Sequence, residues 1–137
     1  MIVSIHQPNF MPWYPFFQKI EQSDVFVIMC NCQFEKNNFQ NRFNINDKWN
    51  TMSVNKGLEP IVDKKYLSEY YDILKNFDEC ISESLTETNV SIIRKVCKML
   101  NITTEIVLDY PTELRRTERL VDICKHYGAT EYLSGPS

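Results

Sequence analysis

Glycine is scarce, with three in 137 residues, and none of the three stands in a Gly-x-x-x-x-Gly-Lys, Gly-x-Gly-x-x-Gly or Gly-x-Ser-x-Gly pattern. Mononucleotide P-loops, dinucleotide fingerprints and hydrolase nucleophile elbows therefore have no support here. Positive charge is not in excess either: 15 Lys and Arg against 18 Asp and Glu give a net charge of −3. That balance lacks the basic field that holds proteins on phosphate backbones, which disfavours general nucleic-acid binding. No long apolar run and no basic N-terminal stretch is present, so neither a membrane span nor a signal peptide is read, and a cytoplasmic location is expected. Cysteines are few and odd in number, Cys30, Cys32, Cys80, Cys97 and Cys124. Their scatter through apolar segments reads as reduced, inert thiols rather than a secreted disulfide framework. Cys30-x-Cys32 without a second pair does not make a metal site, and neither metal nor cofactor is called for. His6 and His126 are the only histidines.

What is present is enough for a folded domain. A chain of 137 residues buries roughly two-thirds of the surface its unfolded form exposes, so one α/β domain over residues 1–137 needs no disulfide or metal. Residues 1–34 hold only three charged side chains, Lys19, Glu21 and Asp24, which makes the N-terminal part the buried one. Ile2-Val3-Ser4-Ile5 is short, branched and stopped by Pro8, as a central strand ending at His6-Gln7. Asp24 to Cys30 repeats the pattern, and apolar runs without alternation suit parallel strands covered on both faces. Pro15 fits the first turn of a short helix that turns Phe16, Phe17 and Ile20 to the sheet.

Further along, 33–46 reads as a functional loop and 49–54 as a half-buried strand. The spacing of Leu67, Tyr70, Leu74, Phe77 and Ile81 predicts an amphipathic helix. Ser84 to Glu87 fits a capping box ahead of a second helix with Val90, Ile93, Cys97 and Leu100 inward. Strands near 104–108 and 130–134 flank a helix bearing Leu120, Cys124 and Tyr127, with Gly128 as its left-handed C-terminal residue. Strands alternating with helices predict an open, mostly parallel sheet with helices on both faces, Rossmann-like in class. The chain stops at Ser134-Gly135-Pro136-Ser137, directly after a strand, where a covering helix is expected; a C-terminal portion is read as lacking.

Three segments carry residues suited to chemistry. His6-Gln7-Pro8-Asn9-Phe10-Met11-Pro12-Trp13 sets hydrogen-bonding side chains among prolines, at the strand end where α/β proteins bind ligands. It also suits a rigid turn around a satisfied core histidine. Gln33 to Arg42 follows the second strand, hence the same sheet edge: Lys36 and Arg42 suit a phosphate or carboxylate, and amides and rings suit sugars and bases. A solvated surface loop is the other reading, although Phe34 and Phe39 are poor choices for bare solvent. In Arg115-Arg116-Thr117-Glu118-Arg119, Thr117 as N-cap and Glu118 in the first turn account for two residues, and an anion clamp at the helix N-terminus is the alternative. His6 with Cys30 or Cys32 is a formal nucleophile and base pair.

These residues resemble the WbqC-like proteins of bacteria. The likeness rests on His6-Gln7-Pro8-Asn9-Phe10-x-Pro12-Trp13, Phe16-Phe17-x-Lys19-Ile20 and Ser23-Asp24-Val25-Phe26-Val27. It continues in Gln33-Phe34-x-Lys36-x-x-Phe39-x-Asn41-Arg42, in Thr117-x-Arg119-Leu120-Val121-x-Ile123-Cys124, and in Gly128-Ala129-Thr130-x-Tyr132-Leu133-Ser134-Gly135. About residues 55–100 match in helical character alone. Where the family pattern has acidic residues after the second strand, this chain has Cys30-Asn31-Cys32, so the resemblance places no carboxylate there. It implies a role in surface polysaccharide, such as O-antigen, biosynthesis: acyl or aminoacyl transfer to a nucleotide-activated amino sugar by a transferase. A non-catalytic module that binds a nucleotide sugar or a partner enzyme of such a pathway is the alternative. A more distant similarity to nucleotidyltransferases of the His-x-Gly-His type, whose tetrad is missing here, adds a nucleotide-binding arrangement. His6 is the expected catalytic residue, the one N-terminal group that titrates near neutrality. The expected substrate-binding residues are Gln7, Asn9, Trp13, Gln33, Phe34, Lys36, Asn41, Arg42, Arg119 and Ser134, and His6 with the first eight of these is expected in one cleft at the carboxyl ends of the first two strands.

Overall fold

The computed structural model of the chain describes residues 1–32, 40–45, 48–51, 54, 61, 77 and 79–134. The apolar N-terminal runs form β1 (Ile2–His6) and β2 (Val25–Ile28), joined through α1 (Tyr14–Glu21). A β-branched, nearly uncharged strand is stable only where water is excluded on both faces, and β2 is buried at every position. β1 pairs in parallel with β2 from Val3↔Val25 to His6↔Ile28. Farther along the chain come β3 (Arg42–Ile45), β4 (Lys48–Thr51), α2 (Leu85–Met99), β5 (Glu105–Leu108), α3 (Arg116–His126) and β6 (Glu131–Tyr132). The main sheet has the order β5-β2-β1-β6, and all three pairings are parallel.

Both faces of the sheet are covered. Phe16, Phe17 and Ile20 of α1 and Val90, Ile93 and Cys97 of α2 pack with Phe26 and Ile28 on one face. On the other, Ile123 of α3, flanked by Leu120 and Cys124, packs with Val3, Ile5, Val25 and Val27. Alternate residues of β2 thus serve opposite cores, as the two-residue period of a strand requires, and Val3 and Ile5 of β1 join the core under α3. The fold is α/β with an open parallel sheet, as its alternating elements imply.

Some expectations change. The strand read at 49–54 does not join the main sheet; Lys48–Thr51 pairs antiparallel with Arg42–Ile45 in a separate two-stranded sheet. Two residues separate β3 from β4, too short a connection for a parallel crossover and suited to a hairpin. Arg42 accordingly opens a strand rather than lying in a loop, while 33–39 and 46 are outside the described residues. Of the helix read at 67–81, only 77 and 79–81 are described, and they are not α-helical. Leu100 lies just past α2 and is exposed rather than inward. Thr117 is not the N-cap of α3: the helix opens one residue earlier, Arg115 precedes it without a side-chain cap, and Arg116 adopts a left-handed φ of 54°.

The Ser84 cap of α2 and the Gly128 terminus of α3 are present. Ser84 Oγ accepts from the Glu87 backbone N–H at 3.2 Å, closing the first turn of α2. Past α3, Gly128 has φ 69°. Its N–H donates to the Lys125 carbonyl at 3.2 Å and that of Ala129 to the Cys124 carbonyl at 2.9 Å, the paired bonds of a Schellman motif. Asn101 does the same for α2 with φ 58°. A Cβ at Gly128 would meet nothing within 4 Å, so only backbone conformation opposes a side chain there. Gly128→Ala is expected to lower unfolding free energy by about 1 kcal/mol, measured by urea denaturation with an unchanged m-value.

Candidate functional site

β1 delivers His6 to the carboxyl edge of the sheet. Its ring meets Phe16 edge-on, with centroids 5.0 Å apart at 72°, which fixes its plane. Nδ1 lies 2.9 Å from the Gln7 carbonyl oxygen. A carbonyl can only accept, so Nδ1 carries the hydrogen and Nε2 of the neutral ring holds the lone pair. Burial pushes the His6 pKa below its ordinary value of 6.5, and the charge of Lys19 adds to this against the opposing effect of the Gln7 hydrogen bond. The result is a neutral, oriented imidazole at pH 7.

The segment after β1 is pinned from below. Phe10 is buried with Leu85 and Ile92 of α2, and Met11 next to it takes a left-handed φ of 43°, a strained conformation for a side chain with a Cβ. Asn89, fully buried on α2, donates from Nδ2 to the carbonyls of both Pro8 and Gln40 at 2.8 Å. One amide thus joins the segment after β1 to the residues leading into β3. The Gln7 side chain continues the joint, donating to Cys32 Sγ at 3.4 Å and accepting from Gln40 Nε2. Asn9 is 7% exposed, and its Oδ1 has no hydrogen-bond partner among the described residues. Asn41 is buried and Arg42 half-buried beside this joint. Trp13 stands out at 66% exposed at the start of α1.

The carboxyl end of β2 is stitched to β5 by a residue that motif reading does not single out. Asp109, the first residue past β5, accepts at Oδ1 from the N–H of Cys30 at 3.0 Å, from the N–H of Asn31 at 3.1 Å and from Asn31 Nδ2 at 2.7 Å. Its Oδ2 takes Arg119 Nη2 of α3, which also donates to the Tyr110 carbonyl at 3.2 Å. The Asp109 and Arg119 side chains are 0% and 5% exposed. A carboxylate therefore does lie beside Cys30-Asn31-Cys32, supplied by the next strand. Burial and this carboxylate push the Cys30 thiol up to about 12, and burial also raises Cys32. Neither is a thiolate nucleophile near neutral pH.

Of the expected binding residues, Gln7 bonds Gln40, and the Asn89 fork joins the chain at Pro8, next to Asn9, to that at Gln40, next to Asn41 and Arg42. The structure places Trp13 exposed on the same segment as Gln7 and Asn9, Arg119 in the buried pair with Asp109, and Ser134 exposed just after β6. Gln33, Phe34 and Lys36 are outside the described residues. Three residues not read as functional shape the site: Asp109, Asn89 and Lys19. Each carries a faint signal, a polar residue closing an apolar strand or sitting on the apolar stripe of a helix. No group of three metal-ligating side chains occurs among the described residues. No described helix is long and apolar enough to cross a membrane.

The sequence profile of the WbqC-like protein family matches residues 7–65 and 61–137. The chain is similar to Rv1507c, an uncharacterized protein of Mycobacterium tuberculosis (strain ATCC 25618 / H37Rv), at 30% identity over 168 aligned residues that cover 98% of this chain and 72% of that protein. No solved structure matches it. The chain belongs to the WbqC-like protein family.

Two outcomes follow from the buried groups. Asp109→Leu leaves Arg119 charged and unpaired, and should cost about 3–5 kcal/mol in denaturant unfolding; adding Arg119→Met should recover part of that loss, because an isolated buried charge is worse than none. For His6, the folded state binds its proton less readily than the unfolded state. Its contribution to stability is thus fully present above 6.5 and is lost as pH falls from there through the lower folded value. His6→Gln should flatten the stability profile of the chain below pH 6.5, measured by thermal melts across the acid range.

Proposed function

We propose that this WbqC-like protein is a transferase that binds a nucleotide-activated amino sugar and moves an acyl or aminoacyl group onto its amine, with His6 as general base. The observation that carries the reading is the His6 imidazole: neutral, held by Gln7 and Phe16, with its lone pair on Nε2. As the sugar nitrogen attacks the carbonyl carbon of an activated donor, a C–N bond forms and Nε2 takes the amine proton. The bond from the carbonyl carbon to the leaving group then breaks, and Nε2 returns the proton to that group. A base with a lowered pKa stays deprotonated through neutral pH, which suits the first half of that exchange. Trp13 offers an exposed ring face to a base or sugar, while the Gln7 amide, bonded to Cys32 and Gln40, positions the segment that carries it. The family resemblance supports the substrate class.

Turnover of UDP- and dTDP-amino sugars with acyl and aminoacyl donors tests the reading. His6→Gln should lower kcat by roughly 10²–10⁴-fold while ligand affinity changes little, and the wild-type acid limb should fall below pH 6.5. Tight binding by wild type without turnover under any donor would instead assign the non-catalytic binding module, and absence of both would remove the nucleotide sugar as ligand.

A further inference from the structure

Among the described residues, Lys19 is the buried charge without an ion-pair partner. It lies on the buried side of α1, 8% exposed, and meets no carboxylate among the described residues. Its backbone carbonyl accepts from Ser23 Oγ at 2.8 Å, and Ser23 Oγ in turn lies 2.6 Å from Ser4 Oγ. That sets Lys19 level with the middle of β1. Helical side chains lean toward the helix N-terminus, which for α1 is the carboxyl edge of the sheet, and the Lys19 charge is felt at His6. The Lys19 stem is buried while its Nζ keeps contact with solvent, so the ammonium has no internal counter-charge yet stays within reach of an anion, and a core-facing methionine would fill the place of the stem.

The topology gives a place for the counter-charge. From β1 the chain winds through β2 to β5 with α1 and α2 on one face, then returns by α3 on the other face to β6 on the far side of β1. The winding reverses at β1, and ligands of open α/β sheets bind outside the carboxyl ends of the strands at such a reversal. The carboxyl ends of β2 and β5 are closed by Asp109, both of whose oxygens are occupied. At the β1 and β6 ends, by contrast, the Leu133 N–H reaches the Val3 carbonyl at 2.9 Å. Continuing that register sets the exposed Ser134 level with Ile5, next to His6.

We infer that an anionic group of the ligand docks on Lys19 at the crevice between the carboxyl ends of β1 and β6, with Ser134 at its β6 rim. The identity of that group as the diphosphate of a nucleotide sugar rests on the function proposed above; the anion site itself does not. It moves the cleft from the ends of the first two strands to the other side of β1.

Calorimetric titration of the full chain with inorganic pyrophosphate, UDP and a UDP-amino sugar separates the two. Lys19→Met should weaken all three by at least about tenfold while melting no lower than wild type, which a merely structural lysine would not do. Lys19→Arg should keep most of the affinity. Ser134→Trp should block UDP and the UDP-amino sugar, and Leu108→Trp, at the far edge of the sheet, should bind as wild type. Unchanged UDP affinity in Lys19→Met, or no binding of any of these anions by wild type, overturns the site; unchanged affinity in Ser134→Trp overturns its place between β1 and β6. If UDP and pyrophosphate bind through Lys19 but no amino sugar is acylated, the anion site stands and the transferase reading falls.

Discussion

The position of β1 between two parallel neighbours governs the candidate site. β1 is hydrogen-bonded on one side to β2 and on the other to β6, and its Val3 and Ile5 enter the core under α3, so it can neither slide nor tilt without breaking ladders and packing together. A one-residue slip would turn Val3 and Ile5 toward the opposite face, away from Ile123 of α3. His6 inherits that rigidity because it is the last residue of the strand. Catalytic and binding groups need placement to fractions of an ångström, and the end of a doubly paired central strand supplies it.

The segment that follows cannot rely on a ladder, and it is held by side chains instead. Burial of Phe10, the Asn89 fork and the chain of amides from Gln40 through Gln7 to Cys32 replace backbone pairing. These bonds lie in a dry environment, where a satisfied polar network is rigid and a broken one costly. They are strong enough to keep Met11 in a left-handed conformation. On the other side of β2, Asp109 performs a related task by tying β5, β2 and α3 together through one carboxylate. The edge of the sheet is therefore divided into a part at β2 and β5 saturated by internal hydrogen bonds and a part at the end of β1 where His6 stands.

What was legible in the sequence is what local chemistry determines. Uncharged branched runs marked β1 and β2, Pro15 marked α1, Ser84 marked the start of α2, and Gly128 marked the end of α3; each needs only its neighbours. The hairpin of β3 and β4 was misassigned because alternation at 49–54 reports a half-buried strand without saying which sheet it joins. Thr117 has good capping chemistry, yet α3 begins at Arg116 with Arg115 in the cap position. Asp109, Asn89 and Lys19 were hidden for a common reason. Their partners, or lack of partners, lie across the fold: 78 and 79 positions away for Asp109, 49 and 81 for Asn89. The N-terminal motif was legible as a site, but not which strand stands opposite it, because that depends on where the chain returns after α3.

Because His6 and His126 are the only histidines, nitrogen NMR of the imidazoles can read the centre of this account directly. With His126 as internal reference, titration of the full chain with a UDP-amino sugar at pH 7 should find His6 neutral, protonated at Nδ1, and shifted at Nε2 on binding, while His126 stays still. A His6 ring that is protonated at Nε2, or one whose Nε2 signal does not respond to a ligand that binds, would contradict the account.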